Sequence, residues 1–239
     1  MSTLAAPLPS PIHYPDSDGR PMADNTTQFR WIMTIQGNLD LLFHSRQDVF
    51  VAGDNLWYPV QGDPTICVAP DVYVAFGRPK GDRGSYKQWE ENDTPLAVVF
   101  EIQSPSNTFR ELLDKFEFYQ QHGVREYYII DPEPPRPVIE IWVREQNRLR
   151  PRDPSSGWVS PLLGVRFVTT PTAIELYYPD LKPFLSFVEL GELQKRTAHA
   201  LETERQRAET ERQRAETERQ RAAKLAARLR ELDIDPDAV

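Results

Sequence analysis

The chain has 239 residues with 28 Lys+Arg against 36 Asp+Glu, a formal net charge of −8. That length leaves room for one sizeable core plus an appendage, and that charge excludes a basic nucleic-acid coat protein or a polybasic membrane binder. A single cysteine, Cys67, excludes an intramolecular disulfide and a cysteine-based zinc cage. No apolar run approaches the roughly 18 residues of a membrane span, and Met1 to Pro11 has neither the basic start nor the apolar block of a secretory signal, so a soluble cytoplasmic protein is expected.

Residues 1–24, rich in Pro, Ser and Asp from Ala5 to Asp24, read as an irregular arm. Asn25-Thr-Thr then opens a helix, with Phe29, Ile32, Ile35, Leu39, Leu42 and Phe43 spaced for one apolar face. Two strand-like runs follow at 48–60 and 65–77, separated by the turn chemistry of Gln61-Gly-Asp-Pro. In Val68-Ala-Pro-Asp-Val-Tyr-Val-Ala-Phe odd and even positions are both largely apolar, the pattern of a strand covered on two faces. Arg78 to Asp93 is polar and reads as a surface loop.

The most apolar strand in the chain is Leu96-Ala-Val-Val-Phe-Glu-Ile-Gln, stopped by Ser104-Pro-Ser. A helix is predicted from about Thr108 to His122, ended by Gly123. Strands are expected at 124–132 and 137–145, and shorter strands and loops from Leu149 to Asp180. The order helix, three strands, helix, two strands implies an α/β domain over 25–190, a mixed central sheet flanked by helices.

Residues 1–194 hold 17 Lys+Arg and 26 Asp+Glu, whereas residues 195–239 hold 11 and 10. The tail repeats Ala-Glu-Thr-Glu-Arg-Gln-Arg with a period of seven, from Leu201 through Ala208 and Ala215, without Pro or Gly between Glu192 and Asp235. One long charged helix over 191–235 is therefore predicted. With Leu201, Ala208, Ala215, Ala222 and Leu229 at position a, position d carries Glu204, Glu211 and Glu218 and becomes apolar only at Leu225 and Leu232. The pattern fits a solvated helix laced with i,i+3 ion pairs, or a weak coiled coil that joins two copies into a homodimer through its Leu-bearing end.

Two carboxylates sit where apolar strands carry the chain: Asp71 after Pro70, and Glu101 within the most apolar strand. A carboxylate there is costly to desolvate without a partner, and a divalent cation is one such partner. Gln103 lies two residues after Glu101 and projects from the same strand face. If the two strands are neighbours, Asp71 and Glu101 share a Mg2+ that keeps several waters, which makes metal-assisted phosphodiester hydrolysis feasible. Lys115, with Tyr119 at i+4, comes from the following helix and brings an ammonium toward that point. Each residue also has a plainer account. Asp71 can be a hydrogen-bonded strand-end carboxylate, Glu101 and Lys115 a core ion pair, and Tyr119 and Tyr127 packing residues with bonded hydroxyls. Cys67 reads as a small core residue, and the four histidines show no ligand spacing.

Pro70-Asp71, Glu101-Ile-Gln103-Ser-Pro-Ser, Lys115 with Tyr119, and Gly123-Val-Arg-Glu-Tyr-Tyr-Ile-Ile-Asp131-Pro together resemble the Uma-type restriction endonucleases of the PD-(D/E)XK nuclease superfamily, over about residues 20–190. The resemblance implies a restriction-endonuclease-like core and a Mg2+-dependent, or Mn2+-dependent, DNA endonuclease. It makes Asp71 and Glu101 the metal ligands. Gln103 stands where the superfamily motif has lysine, so Lys115 becomes the functional replacement. The resemblance also suggests an additional acid from the first helix, for which Asp24 is the candidate, with Asp40 near the helix end the other choice. Arg78, Lys80, Arg83 and Lys87 are the candidates for DNA-backbone contact, or a solvated loop. The competing expectation is a nuclease fold without turnover that binds and assembles through its tail.

Overall fold

The computed structural model describes residues 12–19, 23–155 and 157–231, and the chain forms two compact units, Met1–Ser186 and Phe187–Val239. Of the arm expected over 1–24, residues 1–11 and 20–22 lie outside the described residues, as do the last residues of the tail, 232–235.

Helix α1 (Thr26–Leu42) begins where the sequence predicts, with the Asn25 side chain accepting from Gln28 N at 2.8 Å. Its buried face runs Gln28, Ile32, Ile35, Leu39. Phe29, expected on that face, is 46% exposed. Gln28 takes the position because both ends of its amide are bonded: Oε1 accepts from Asp24 N, and Nε2 donates to Ile102 O at 2.9 Å.

The run predicted over 48–60 is two strands, β1 (Val49–Ala52) and β2 (Trp57–Tyr58), because the chain turns at Gly53 and Asp54, the latter at φ 57. Only the end of the 65–77 run is a strand, β3 (Val72–Phe76), and the segment before it touches β2 through a bridge between Trp57 and Val68. Within the polar stretch after it lie β4 (Tyr86–Lys87), parallel to β2, and a 3-10 turn at Gln88–Glu91. Then come β5 (Val98–Ile102), α2 (Phe109–Gln121), β6 (Glu126–Asp131), β7 (Val138–Glu145), β8 (Arg148–Arg152), β9 (Trp158–Val159), β10 (Arg166–Thr169) and β11 (Ile174–Tyr177).

The main sheet has the order β1-β3-β5-β6-β7-β8, and β9 to β11 form a second sheet. Strands β5 and β6, joined by α2, are parallel; the other neighbours in the main sheet are antiparallel. The sheet is thus mixed, as the order of elements implies. Every residue of β5 is buried, because the two faces serve two cores. Val98, Phe100 and Ile102 pack in the cluster containing Ile32, Ile35 and Leu39, and Val99 packs with Tyr73, Tyr119 and Tyr127 on the other face. An apolar run without alternation is the sequence trace of that two-sided burial.

Helix α2 is fixed at both ends. Thr108 and Glu111 form a capping box. At the other end Arg144 of β7 donates to the carbonyls of Tyr119 and Gln120, oxygens of the kind a helix C-terminus leaves open, and to that of Val124 just beyond the helix. The second unit is one helix, α3 (Phe187–Glu231), 45 residues long with none buried. It starts four residues before the predicted boundary at 191. Its repeat shows as side-chain bonds recurring every seven residues: Gln206 to Glu202, Gln213 to Glu209, Gln220 to Glu216. Among the described residues no helix is long and apolar enough to cross a membrane.

Candidate active site

The β3–β5 pairing sets Val72 opposite Phe100. One step further along that antiparallel register brings Asp71 opposite Glu101, on the face that carries Tyr73 and Val99. Asp71 is held there by its backbone and its carboxylate. Gly53 lies so close to the Asp71 carbonyl that an added Cβ would stand 2.1 Å from its oxygen, and Asp54 N donates to Pro70 O at 2.9 Å. The side chain accepts from Ile102 N at 2.6 Å through Oδ2.

Glu101 is 4% exposed and bonded through both oxygens. Lys115 Nζ donates to Oε2 at 2.5 Å, and the Tyr119 hydroxyl donates to Oε1 at 2.5 Å. Lys115 and Tyr119 reach it together because i and i+4 share a helix face. Burial raises the Asp71 pKa to about 8, and the neighbouring Glu101 charge adds to it, against the opposing pull of Lys115. Burial works against the Lys115 ammonium, but the charges of Glu101 and Asp71 outweigh it and hold its pKa above the ordinary value.

Two clefts meet at Asn107 and Lys115. One, about 540 Å³, is lined among others by Asp18, Asp24, Asp54 and Asp71. The other, about 250 Å³, is lined by Glu101, Gln103, Glu111 and Asp114. Gln103 therefore shares a cleft with Glu101 and Lys115, while its N–H extends the sheet by donating to Ile130 O at 2.8 Å. Among the described residues Lys115 is the single cation lining either cleft. Asp24 does not cap α1, a role that Asn25 takes. It accepts from the hydroxyls of Ser104, at 2.7 Å, and Ser106, joining the start of α1 to the loop after β5. Those hydroxyls, Ser106 foremost, hold its pKa below the usual value. Burial, then the Asp18 charge, raises that of Asp54. Asp40, the alternative acid, instead pairs with Lys80 at 3.0 Å.

The basic loop is largely engaged in ion pairs. Arg78 and Arg83 both bind Glu91, at 2.9 and 2.5 Å, and the Arg83 guanidinium lies 3.9 Å from the centre of the Phe50 ring. Lys80 has Asp40, and Lys87 has Glu90 at 3.7 Å. Cys67 is half-buried outside any strand, on the wall of the larger cleft. Sequence reasoning did not single out Gln28, Gly53 or Asp54. Gly53 beside a strand end was the available signal, since an isolated glycine there marks a close backbone approach.

Asp71 and Glu101 thus lie side by side where β3 and β5 meet, joined by a lysine from the next helix, in a mixed α/β domain. Residues 5–170 match the model of the Uma2 family, described as "Putative restriction endonuclease", and the chain belongs to that family. Among solved structures, the chain is similar to a "putative nuclease belonging to DUF820" from Anabaena variabilis ATCC 29413, with 12% identity and a TM-score of 0.40, covering 59% of this chain and 75% of that one. No curated protein matches.

Proposed function

We propose that this protein is a Mg2+-dependent endodeoxyribonuclease of the cytoplasm, with Mn2+ as a substitute ion, that hydrolyses phosphodiester bonds in DNA. One observation carries the proposal: Asp71 and Glu101 at neighbouring positions on one sheet face, with the Lys115 ammonium 2.5 Å from Glu101. Among the described residues no three His, Cys, Asp or Glu side chains are grouped to hold a metal ion. Two carboxylates nevertheless suit Mg2+, which is commonly held by one or two of them and keeps several waters. The buried Asp71 carboxyl, held neutral to about pH 8 beside a second carboxylate, fits a place where a divalent charge belongs.

When bound, such an ion supplies Lewis-acid stabilisation at the phosphoryl group and a water acidified toward neutrality. Asp71 and Glu101 hold it. Lys115 directs its charge to where negative charge grows during hydrolysis, the role the motif gives to lysine. Gln103 offers an uncharged amide on the same face. The acidity of the clefts argues for the same cofactor, because a polyanion entering past seven acidic side chains, all but Asp71 ordinarily ionised at neutral pH, and one lysine needs added positive charge. Lys80 and Lys87, each 26% exposed, are better placed than Arg78 and Arg83 to exchange an acidic partner for a DNA phosphate.

Plasmid DNA with Mg2+ or Mn2+ is expected to be nicked by the wild-type protein and left intact by Asp71→Ala and Glu101→Ala. Cleavage that survives both substitutions overturns the proposal. A second reading, a nuclease fold that binds without turnover, is favoured by the bonding of both Glu101 oxygens within the protein. Ion titration separates the two: absence of thermal stabilisation by Mg2+ and Mn2+ favours the inert scaffold.

A further inference from the structure

We propose that Tyr119 is a positioning residue of this site: its hydroxyl fixes the Glu101 carboxylate in the orientation that holds the divalent cation. The inference rests on the metal-site reading above. Tyr119 is fully buried, and it is the buried residue of α2. Its ring lies parallel to Trp57 at 6.4 Å and tilts against Tyr127 at 4.9 Å, so the ring has no freedom to swing. From that fixed ring the hydroxyl donates to Glu101 Oε1 at 2.5 Å, while Lys115 donates to Oε2 at 2.5 Å.

The two donors differ in what they permit. Lys115 is a flexible stem with its side chain 31% exposed, so it can shift when an ion or phosphate arrives. Tyr119 cannot shift. A carboxylate oxygen has two lone-pair directions, so the bond to Tyr119 leaves Oε1 a free direction while defining the plane of the group. Partners of this kind behind a metal ligand commonly govern affinity by about 10–100-fold.

The neighbouring tyrosine supplies an internal control. Tyr127 is also fully buried in the same cluster, but its hydroxyl has no hydrogen-bond partner. Packing alone therefore predicts the same result for Tyr119→Phe and Tyr127→Phe, whereas positioning predicts different ones.

The test is Mn2+ affinity, measured by isothermal titration and by ion-induced shift of the melting temperature, on the full chain and both variants. The ion-free melting temperature of each is recorded alongside. The expected result is about tenfold or more weaker Mn2+ binding by Tyr119→Phe and unchanged binding by Tyr127→Phe. Equal binding by wild type and Tyr119→Phe, with binding abolished in Asp71→Asn, overturns the positioning role and leaves the metal site standing. No binding by the wild-type protein overturns both. If Tyr119→Phe does not fold, fluorinated tyrosine at position 119 keeps ring and hydroxyl while changing donor strength. Mn2+ affinity that follows phenol acidity supports the role, and affinity indifferent to it overturns the role.

Discussion

Asp71 makes the stability of the ion-free protein depend on pH in a defined direction. Its carboxyl titrates near 3.8 when unfolded and near 8 in the fold, so between those values the native state holds a proton that the unfolded chain releases. Stability therefore falls as pH rises from about 4 to about 8, at a limiting slope of about 1.4 kcal/mol per pH unit for one proton. Asp71→Asn is expected to remove that component in a series of urea melts with chelator present. Lys115→Met leaves Glu101 buried with one donor. The expected loss lies at or below the lower end of the ~3–5 kcal/mol for breaking a buried pair, because the lysine side chain is 31% exposed. Denaturant unfolding at neutral pH measures it. That Asp71, Glu101 and Lys115 come together was legible in the sequence, because a carboxylate in an apolar strand needs a partner and the next helix carries a lysine. The bond from Tyr119 was not, since i+4 spacing says that two side chains share a face and not which oxygen each one meets.

At the scale of elements, β5 and α2 were legible almost to the residue. The apolar run, the Ser-Pro stop, the Thr108 cap and Gly123 are local signals, and Thr108→Ala is expected to cost about 1 kcal/mol through loss of the capping box. The strands before them were read too long. Pattern alone continued an extended run through Gly53, where the chain turns to let the Asp71 carbonyl approach. Two glycines give opposite expectations from the same substitution. Gly53→Ala forces the turn away from Asp71 and is expected to destabilise by more than about 1 kcal/mol and to weaken the Mn2+ response. Gly37, in α1 with nothing within 4 Å of an added Cβ, is expected to stabilise by about 0.5–1 kcal/mol as alanine. Thermal melts of the two variants compare them directly. Phe29 and Gln28 teach a related lesson. Hydropathy ranks the phenylalanine as the buried residue, but the backbone carbonyl of Ile102 is met by the glutamine.

The whole chain couples an acidic α/β unit to a helix of nearly balanced charge, and that division was legible from charge and the seven-residue period. The sequence reads the tail as either a solvated helix or a homodimer seam, and the helix of 45 residues with none buried carries both readings forward. We propose the homodimer. Light scattering is expected to give twice the chain mass for the wild type and a single mass for a variant with Leu225→Glu and Leu229→Glu; a wild-type monomer contradicts it. Long-range arrangement was the least legible part. Nothing local in the basic loop announces that Glu91 takes up both Arg78 and Arg83.

The proposed function requires Asp71 and Glu101 to hold one divalent cation. A crystal soaked in Mn2+ and measured at the manganese edge tests it directly. An anomalous peak within bonding distance of both carboxylates, lost in Asp71→Asn, is expected. A crystal with no peak there, or with manganese bound elsewhere and both carboxylates free of it, contradicts a shared metal site.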